Sequence, residues 1–359
     1  MPTKILTFYR IATATLGLVL LAIAAYMVRS LPESQNAAIA IPGDPAAGSI
    51  VDSMRPLMGT EFGIKVWAAA GREPVATAII AEALDELTEL ESQISSWQID
   101  SDTSKVNAAA GQLPVPVSPE LYELLTISMR WARRTTGAFD ITGGPLYELW
   151  GEARRQKTLP SPEAIHSALT HVGYQNVELG DGTVYLSAPG MQLGFGSVGK
   201  GFAADSAAAK LHASNFRNFI VDAGGDLVVS GSRGDVPWSV GVRHPRTEEL
   251  LATMELTDSA IATSGDYEQY LLADGRRFGH IIDPRTGWPV ETVASVVAIA
   301  GKGADADALA TGLFVLGPEQ GIALVEKISS VEALFVMSDG TLHHSEGLAI
   351  KDGILERIQ

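Results

Sequence analysis

The stretch "GFGSVGKG", residues 194–201, gathers four glycines, a serine and a lysine where backbone N–H groups can crowd an anion. Gly194, Gly196 and Gly199 spell G-x-G-x-x-G, the dinucleotide fingerprint. Gly194, Gly199 and Lys200 spell a P-loop without its last residue, because Gly201 stands where a hydroxyl should reach Mg2+. A protein kinase is excluded as well, since neither H-R-D nor D-F-G occurs. For the dinucleotide reading, Asp222 closes the apolar run "NFIVD" at a suitable distance to bind a ribose. The strand that should deliver the loop, "LSAPGMQLG", nevertheless carries Pro189 and Gly190, which suit a central strand badly. What survives is a small-residue loop opening the helix "KGFAADSAAAKLHA", with Lys200 at the positive end of the helix dipole, a place for a phosphate. By itself the segment reads equally well as a glycine-rich connection with a solvated lysine.

Such a loop needs a body to hold it. Of 359 residues, 46% are apolar and 19% charged, the balance of a folded globule. The net charge of −16 and the lack of any basic block argue against nucleic acid as a partner. Cysteine is absent, which excludes thiol nucleophiles, disulfides, Cys-ligated zinc, iron–sulfur clusters and a lipidated N-terminal cysteine. Lys4 and Arg10 precede eighteen uncharged residues, 11–28, which read as a transmembrane signal anchor or a signal peptide. Residues 1–10 would then be cytoplasmic, and the body would lie on the extracytoplasmic, periplasmic side of the cytoplasmic membrane. Residues 29–49 read as a linker, leaving 50–359 as the catalytic domain.

Within that domain, 61–69 reads as a strand. Helical spacing of Ile80, Leu84, Leu87 and Ile94 marks the next element. A second helix runs from the cap at Ser118 to the stop at Gly137, and others are expected at 162–171, 202–213, 304–315 and 318–327. The runs "VYLSA", "NFIVDAGG", "LVVSG", "WSVGVRH", "LLATMELTD" and "ASVVAIAG" are short strands punctuated by turn residues. Many of them follow one another without a helix between. That pattern predicts antiparallel pairing and an α+β fold.

Eight segments in order carry a family resemblance: "MGT" at Met58, "SSWQIDSDTSKVNAA", "TTGAFDITGGPLYELWG", "GFGSVGKGFAAD", "FIVDAGGDLVVSG", "AIATSGDYEQY", "HIIDPRTGWPV" and "ADALATGLFVLG". Together they resemble the ApbE-like flavin transferases, the FAD:protein FMN transferase family, from Met58 to about Leu316. The resemblance implies a T-fold-related α+β body with antiparallel sheets. It implies Mg2+-dependent transfer of the FMN half of FAD onto a Thr or Ser hydroxyl of a target protein, often a membrane redox protein, with release of AMP. It further implies that Met58 and Trp97 border the flavin or adenine, that Ala138, Phe139 and Asp140 line the FAD site, and that Lys200 and Ile281 contact FAD. Ser197, Asp307 and Thr311 become the metal ligands.

Elementary chemistry is compatible with that set. Asp307 and Thr311 are i, i+4 on one helix, so both oxygens leave one face, although read alone they are a surface acid and a core-facing threonine. Hard oxygen ligands suit Mg2+. His280, ahead of the turn "DPRTG", is placed to take the proton from an attacking hydroxyl, while Asp283 sets that turn; His343 and His344 carry no motif. One position departs from the family, which has Asp at the start of the glycine loop as a nucleotide contact; this chain has Gly194. A metal-dependent FAD pyrophosphatase and a non-catalytic FAD-binding protein are the alternatives.

Overall fold

The computed structural model describes residues 48–358. The expected cytoplasmic N-terminus, the membrane span 11–28 and nearly all of the linker 29–49 lie outside the described residues.

The central sheet has eight strands whose spatial order is also their chain order: β1 (Gly48–Leu57), β2 (Thr60–Ala69), β3 (Phe219–Ala223), β4 (Asp226–Ser230), β5 (Ser259–Gly265), β6 (Val293–Ala300), β7 (Glu332–Met337) and β8 (Leu342–His344). Each neighbouring pair is antiparallel, as the uninterrupted strand runs of the sequence require. A dinucleotide fold built on parallel βαβ units is thereby excluded.

Six helices occupy the excursion between β2 and β3: α1 (Glu73–Ile94), α2 (Asp102–Ala108), α3 (Pro119–Arg134), α4 (Gly144–Gln156), α5 (Pro162–Leu169) and α6 (Gly199–Ala213). A seventh, α7 (Gly303–Val325), follows β6. The helical periodicity is honoured: Ile80, Leu84, Leu87 and Ile94 are all buried on α1. Ser118 caps α3 by accepting from the Leu121 N–H. The two helices expected at 304–315 and 318–327 are the arms of α7, which breaks at Gly317 (φ 75°, ψ 174°) beside Pro318. Both short helices α2 and α4 escape a periodicity argument, α2 because seven residues hold too few apolar positions and α4 because it opens on Gly-Gly-Pro.

β6 reads "VASVVAIA" and is buried at every position, the signature of a strand covered on both faces. Val296, Ala298 and Ala300 belong to the core shared with α1, α6 and α7. Val297 and Ile299 pack with Trp238, Val240, Met254 and Leu256, which come from a four-stranded sheet laid on the other face. The order is therefore helices, large sheet, small sheet. By length and composition α7 could cross a membrane; its place in the middle of the core accounts for that composition.

A third cluster joins Leu146 and Trp150 of α4, Ile165 of α5 and Phe278, the last on the hairpin formed by Tyr270–Ala273 and Arg276–Gly279. Trp150 is fully buried and donates its indole N–H to the Gly287 carbonyl at 2.8 Å. That bond fastens α4 to the turn after His280.

Candidate active site

The "GAFD" segment is the hub of the site. Ala138 and Phe139 are buried in the main core, so only their backbone faces a ligand. Asp140 is nearly buried; its carboxylate accepts from the Thr142 N–H and hydroxyl (2.8 and 2.7 Å) and from the Tyr174 N–H at 2.8 Å. Burial nevertheless wins over these bonds and raises its pKa above the ordinary value. On one side the Ile141 carbonyl accepts from the Gly194 N–H at 2.8 Å, which joins the hub to the glycine loop. On the other side α7 comes so close that a Cβ on Gly312 would lie 2.9 Å from the Thr135 methyl and 3.2 Å from Phe139 Cβ.

The glycine loop enters under restraint from α2. Asn107 closes a two-point bond on Leu193, donating to its carbonyl at 3.1 Å and accepting from its N–H at 2.7 Å. From there the loop runs through Ser197, half-buried with no partner for its hydroxyl among the described residues, into the first turn of α6. The third residue of that turn, Gly201, donates its N–H to Asp307 on α7 at 3.0 Å. A Cβ on Gly201 would fall 2.2 Å from the Gly303 carbonyl oxygen, so only glycine permits this crossing.

Asp205 on α6 returns the favour, accepting from the Gly303 and Ala304 N–H groups at 2.8 and 3.0 Å. Each helix thus satisfies free donors at the start of the other.

Charges concentrate at this crossing. Lys200 pairs with Asp226 of β4, and Asp226 also accepts from the Thr263 N–H at 3.1 Å. Burial works to lower the Lys200 pKa, but Asp226 and Asp307 hold it well above its ordinary value. Asp307 is pushed up to about 7, first by burial and then by the like charge of Asp226, against the pull of Lys200 and the Gly201 N–H. Thr311, one turn along α7, shares a 3.2 Å hydrogen bond with Ser264 of β5. Two buried carboxylates, one held by a single N–H, beside hydroxyl oxygens make a donor set short of positive charge. That suits a hard divalent cation. The fit involves hydroxyls rather than a cluster of three acidic or histidine ligands, and none of the latter exists among the described residues.

His280 follows the strand Arg276–Gly279. Its Nδ1 is buried and has no hydrogen-bond partner among the described residues. Burial lowers its pKa, Arg154 and Lys200 push it further down, and Glu268 and the Gln269 backbone oppose them. The imidazole is consequently neutral at pH 7, the form a general base needs. Asp283 does set the next turn: it accepts from the Arg285 N–H at 2.9 Å and grips the Arg285 guanidinium. Ile281 is buried, its carbonyl bonded to the Val290 N–H.

Met58 and Gly59 form a two-residue hairpin turn with φ of 50° and 74°, and Gly224 and Gly225 form another with 69° and 102°. Phe62 pairs with Ala223, so the two turns lie side by side, Thr60 filling the space a Cβ on Gly224 would need. Methionine in the left-handed region is unfavourable where Asn or Gly would be easy, a local strain of the kind found at functional sites. Trp97 behaves differently. It stands 95% exposed in the connection between α1 and α2, apart from the packed body.

The structure joins the loop 194–201 to the 138–141 turn through the Gly194–Ile141 bond and to α7 through the Gly201–Asp307 bond, with Ser197 and Lys200 carried on that loop and Thr311 one turn beyond Asp307. Sequence reasoning passed over Asp226, Ser264, Asn107 and Asp205. Asp226 had a signal: "DAGGD" holds two acids around one glycine turn, and Asp222, weighed for a ribose, instead braces the turn by accepting from the Gly225 N–H at 2.7 Å. Asn107 and Asp205 act through partners 86 and 98 residues away, beyond any local pattern. His343 and His344 are exposed on β8.

The comparisons with known proteins identify the family. A family model described as the ApbE family matches residues 58–335. The FAD:protein FMN transferase of Treponema pallidum is 35% identical over 321 residues, covering 84% of this chain and 88% of the relative. That of Escherichia coli K12 is 33% identical over 274 residues, or 73% and 78% of the two chains. The solved flavin transferase ApbE from Vibrio cholerae superposes with a TM-score of 0.76 at 30% identity, over 83% of this chain and 98% of that one. The apo flavinyl transferase ApbE of Pseudomonas stutzeri gives 0.76 and 30%, over 85% and 97%. From the strained turn at Met58 to the strand β7, this chain is a member of the ApbE family.

Proposed function

We propose that the protein transfers the FMN half of FAD onto a Thr or Ser hydroxyl of a target protein and releases AMP. The observation that carries this reading is the meeting of three distant segments, 138–141, 194–201 and 307–311, through the Gly194–Ile141 and Gly201–Asp307 hydrogen bonds. The relatives' names support it. In the reaction the acceptor oxygen forms a bond to the phosphorus on the flavin side of the pyrophosphate. The bond from that phosphorus to the bridging oxygen breaks, the bridging oxygen leaves with AMP, and the hydroxyl proton passes to neutral His280.

The residues of this chain supply position and charge, which is most of what phosphoryl transfer needs. Lys200, kept protonated by Asp226 and Asp307, faces the pyrophosphate at the start of α6. Within the glycine loop the N–H groups of Gly194, Val198, Gly199 and Gly201 are already bonded, which leaves those of Phe195, Gly196 and Ser197 to meet an anion. Mg2+ held by Asp307, Thr311 and Ser197 would supply charge neutralisation at the pyrophosphate. The backbone of 138–140, Ile281 and the strained Met58 turn would form the walls for FAD, with Trp97 swinging in over a ring. We read the N-terminal segment 11–28 as the membrane anchor, with the catalytic domain outside the cytoplasm and a membrane redox protein as the target class.

Incubation with FAD, Mg2+ and a protein bearing an exposed acceptor threonine tests this. An acceptor heavier by one FMN with matching AMP supports transfer. Free FMN and AMP with an unchanged acceptor would make the protein a pyrophosphatase, and intact bound FAD would make it a carrier.

A further inference from the structure

Arg154 is one of the charges that act on His280. It sits on α4 one turn beyond Trp150, so the two side chains leave the same side of the helix. The Trp150 ring stacks on Phe278 with centroids 5.9 Å apart, and Phe278 is two residues before His280. The packing that buries Trp150 thereby sets this side of α4 against the strand that leads to His280, whose pKa the Arg154 charge helps to lower.

Arg154 is half-buried, and its guanidinium makes no ion pair or hydrogen bond among the described residues. Its neighbour Arg155 is tied to Glu152 at 2.8 Å. Even more exposed arginines hold carboxylates: Arg246 grips Asp266 at 2.6 and 2.8 Å, and Arg285 grips Asp283. Of the charges that act on His280, Lys200 is paired with Asp226 and Glu268 is exposed. Desolvating a guanidinium without a partner is unfavourable, and a chain with 42 acidic residues has partners to offer. Gly151, one turn back, has no side chain to cover the group; even a Cβ there would come only to 3.9 Å from Nη2.

We propose that Arg154 is a substrate-recognition residue that binds an oxyanion brought beside His280, through the two-pronged contact a guanidinium makes with a phosphate or carboxylate. The inference rests on the flavin-transfer reading and adds to it a group that orients one substrate against the base. Two sources carry that chemistry: the flavin-side phosphate of FAD, or a carboxylate next to the acceptor hydroxyl.

The test uses the full chain with Arg154→Gln and Arg154→Lys, FAD, and two synthetic threonine peptides, one with an aspartate beside the threonine and one with asparagine there. KM for FAD and for each peptide is measured separately, together with the pH profile of kcat/KM. For Arg154→Gln, KM rises about tenfold or more for one substrate: for FAD if the phosphate is held, or for the aspartate peptide alone if the carboxylate is. The acid limb also moves to higher pH, because His280 loses a neighbouring positive charge. Arg154→Lys restores the limb but recovers affinity only in part. Unchanged KM values with an unmoved limb would overturn the proposal, as would a loss confined to thermal stability. Titration calorimetry with FAD and with each peptide gives the same comparison without turnover. An inactive wild type would therefore count against flavin transfer, while equal binding by wild type and Arg154→Gln would count against Arg154.

Discussion

Asp205 and Asp307 exchange places between two helices: Asp205 of α6 caps the first turn of α7, and Asp307 of α7 caps the first turn of α6. The exchange is possible because Gly201 and Gly303 meet backbone to backbone, each leaving no room for a Cβ on the other. Asp307, proposed to hold the metal, and the loop proposed to hold the pyrophosphate are thus parts of one helix crossing, and a disturbance of either reaches both.

Gly201→Ala should therefore damage stability and function together. The methyl group must displace the Gly303 carbonyl, at a cost of about 1–3 kcal/mol. Denaturant unfolding should show a lower midpoint, and Mg2+-dependent turnover should fall further than the loss of folded protein explains. A fully stable, fully active variant would contradict the crossing.

Asp307→Asn separates the two effects. It removes a buried charge that Asp226 opposes, yet keeps an oxygen for the Gly201 N–H. The metal-free variant should be at least as stable as the wild type near pH 8, while turnover drops by about a hundredfold or more. Circular-dichroism melts beside an AMP-release assay would measure both.

The raised pKa of Asp307 gives a pH dependence with a definite sign. The folded chain holds this proton up to about pH 7, whereas the unfolded chain releases it near the ordinary 3.8. The contribution to stability is thus complete below pH 3.8 and lost as pH rises through 7. Asp140, Asp205 and Asp222 are raised by burial too and act in the same direction. Mg2+ competes with the proton on Asp307, so the stabilisation by added Mg2+ should grow between pH 5 and pH 8. The slope should flatten in Asp307→Asn. Melting temperatures with and without Mg2+ across that range check it.

Much of this was legible in the sequence, and what was not has a physical reason. Strand runs without intervening helices foretold the antiparallel sheet, and "DALAT" foretold two oxygens on one helix face. The two phosphate-loop look-alikes could be set aside on Gly201 and Pro189 alone. Illegible were the contacts that make the site: the Asn107 clamp on Leu193, the exchange of caps, and Asp226 against Lys200. Each depends on a partner brought near only by the fold, and one glycine's lack of a Cβ leaves no trace in a periodicity. Trp97 was marked through the family resemblance, and its exposed position shows that packing did not select it.

Asn107→Ala should loosen the glycine loop from α2. Two hydrogen bonds to a partly buried backbone are lost, about 1–3 kcal/mol in total. KM for FAD should rise severalfold with kcat less affected, since in the proposed reading the loop would hold the ligand and the base would lie elsewhere. Steady-state kinetics at saturating acceptor would show the split.

Gly194→Asp should be tolerated. Nothing lies within 4 Å of a Cβ at that position, and its φ is not in the left-handed region. Restoring the acid that the family resemblance leads one to expect should tighten FAD binding severalfold at saturating Mg2+, with thermal stability nearly unchanged. Flavin fluorescence titration measures the affinity.

The central claim is that FMN reaches a protein hydroxyl with His280 taking the proton. The most direct measurement is the intact mass of an acceptor protein after incubation with FAD and Mg2+, using the wild type and His280→Gln in parallel. The account predicts a gain of one FMN per acceptor with equimolar AMP from the wild type, and a rate lower by about a hundredfold or more from His280→Gln. An acceptor of unchanged mass while AMP accumulates, or equal labelling by both proteins, would contradict it.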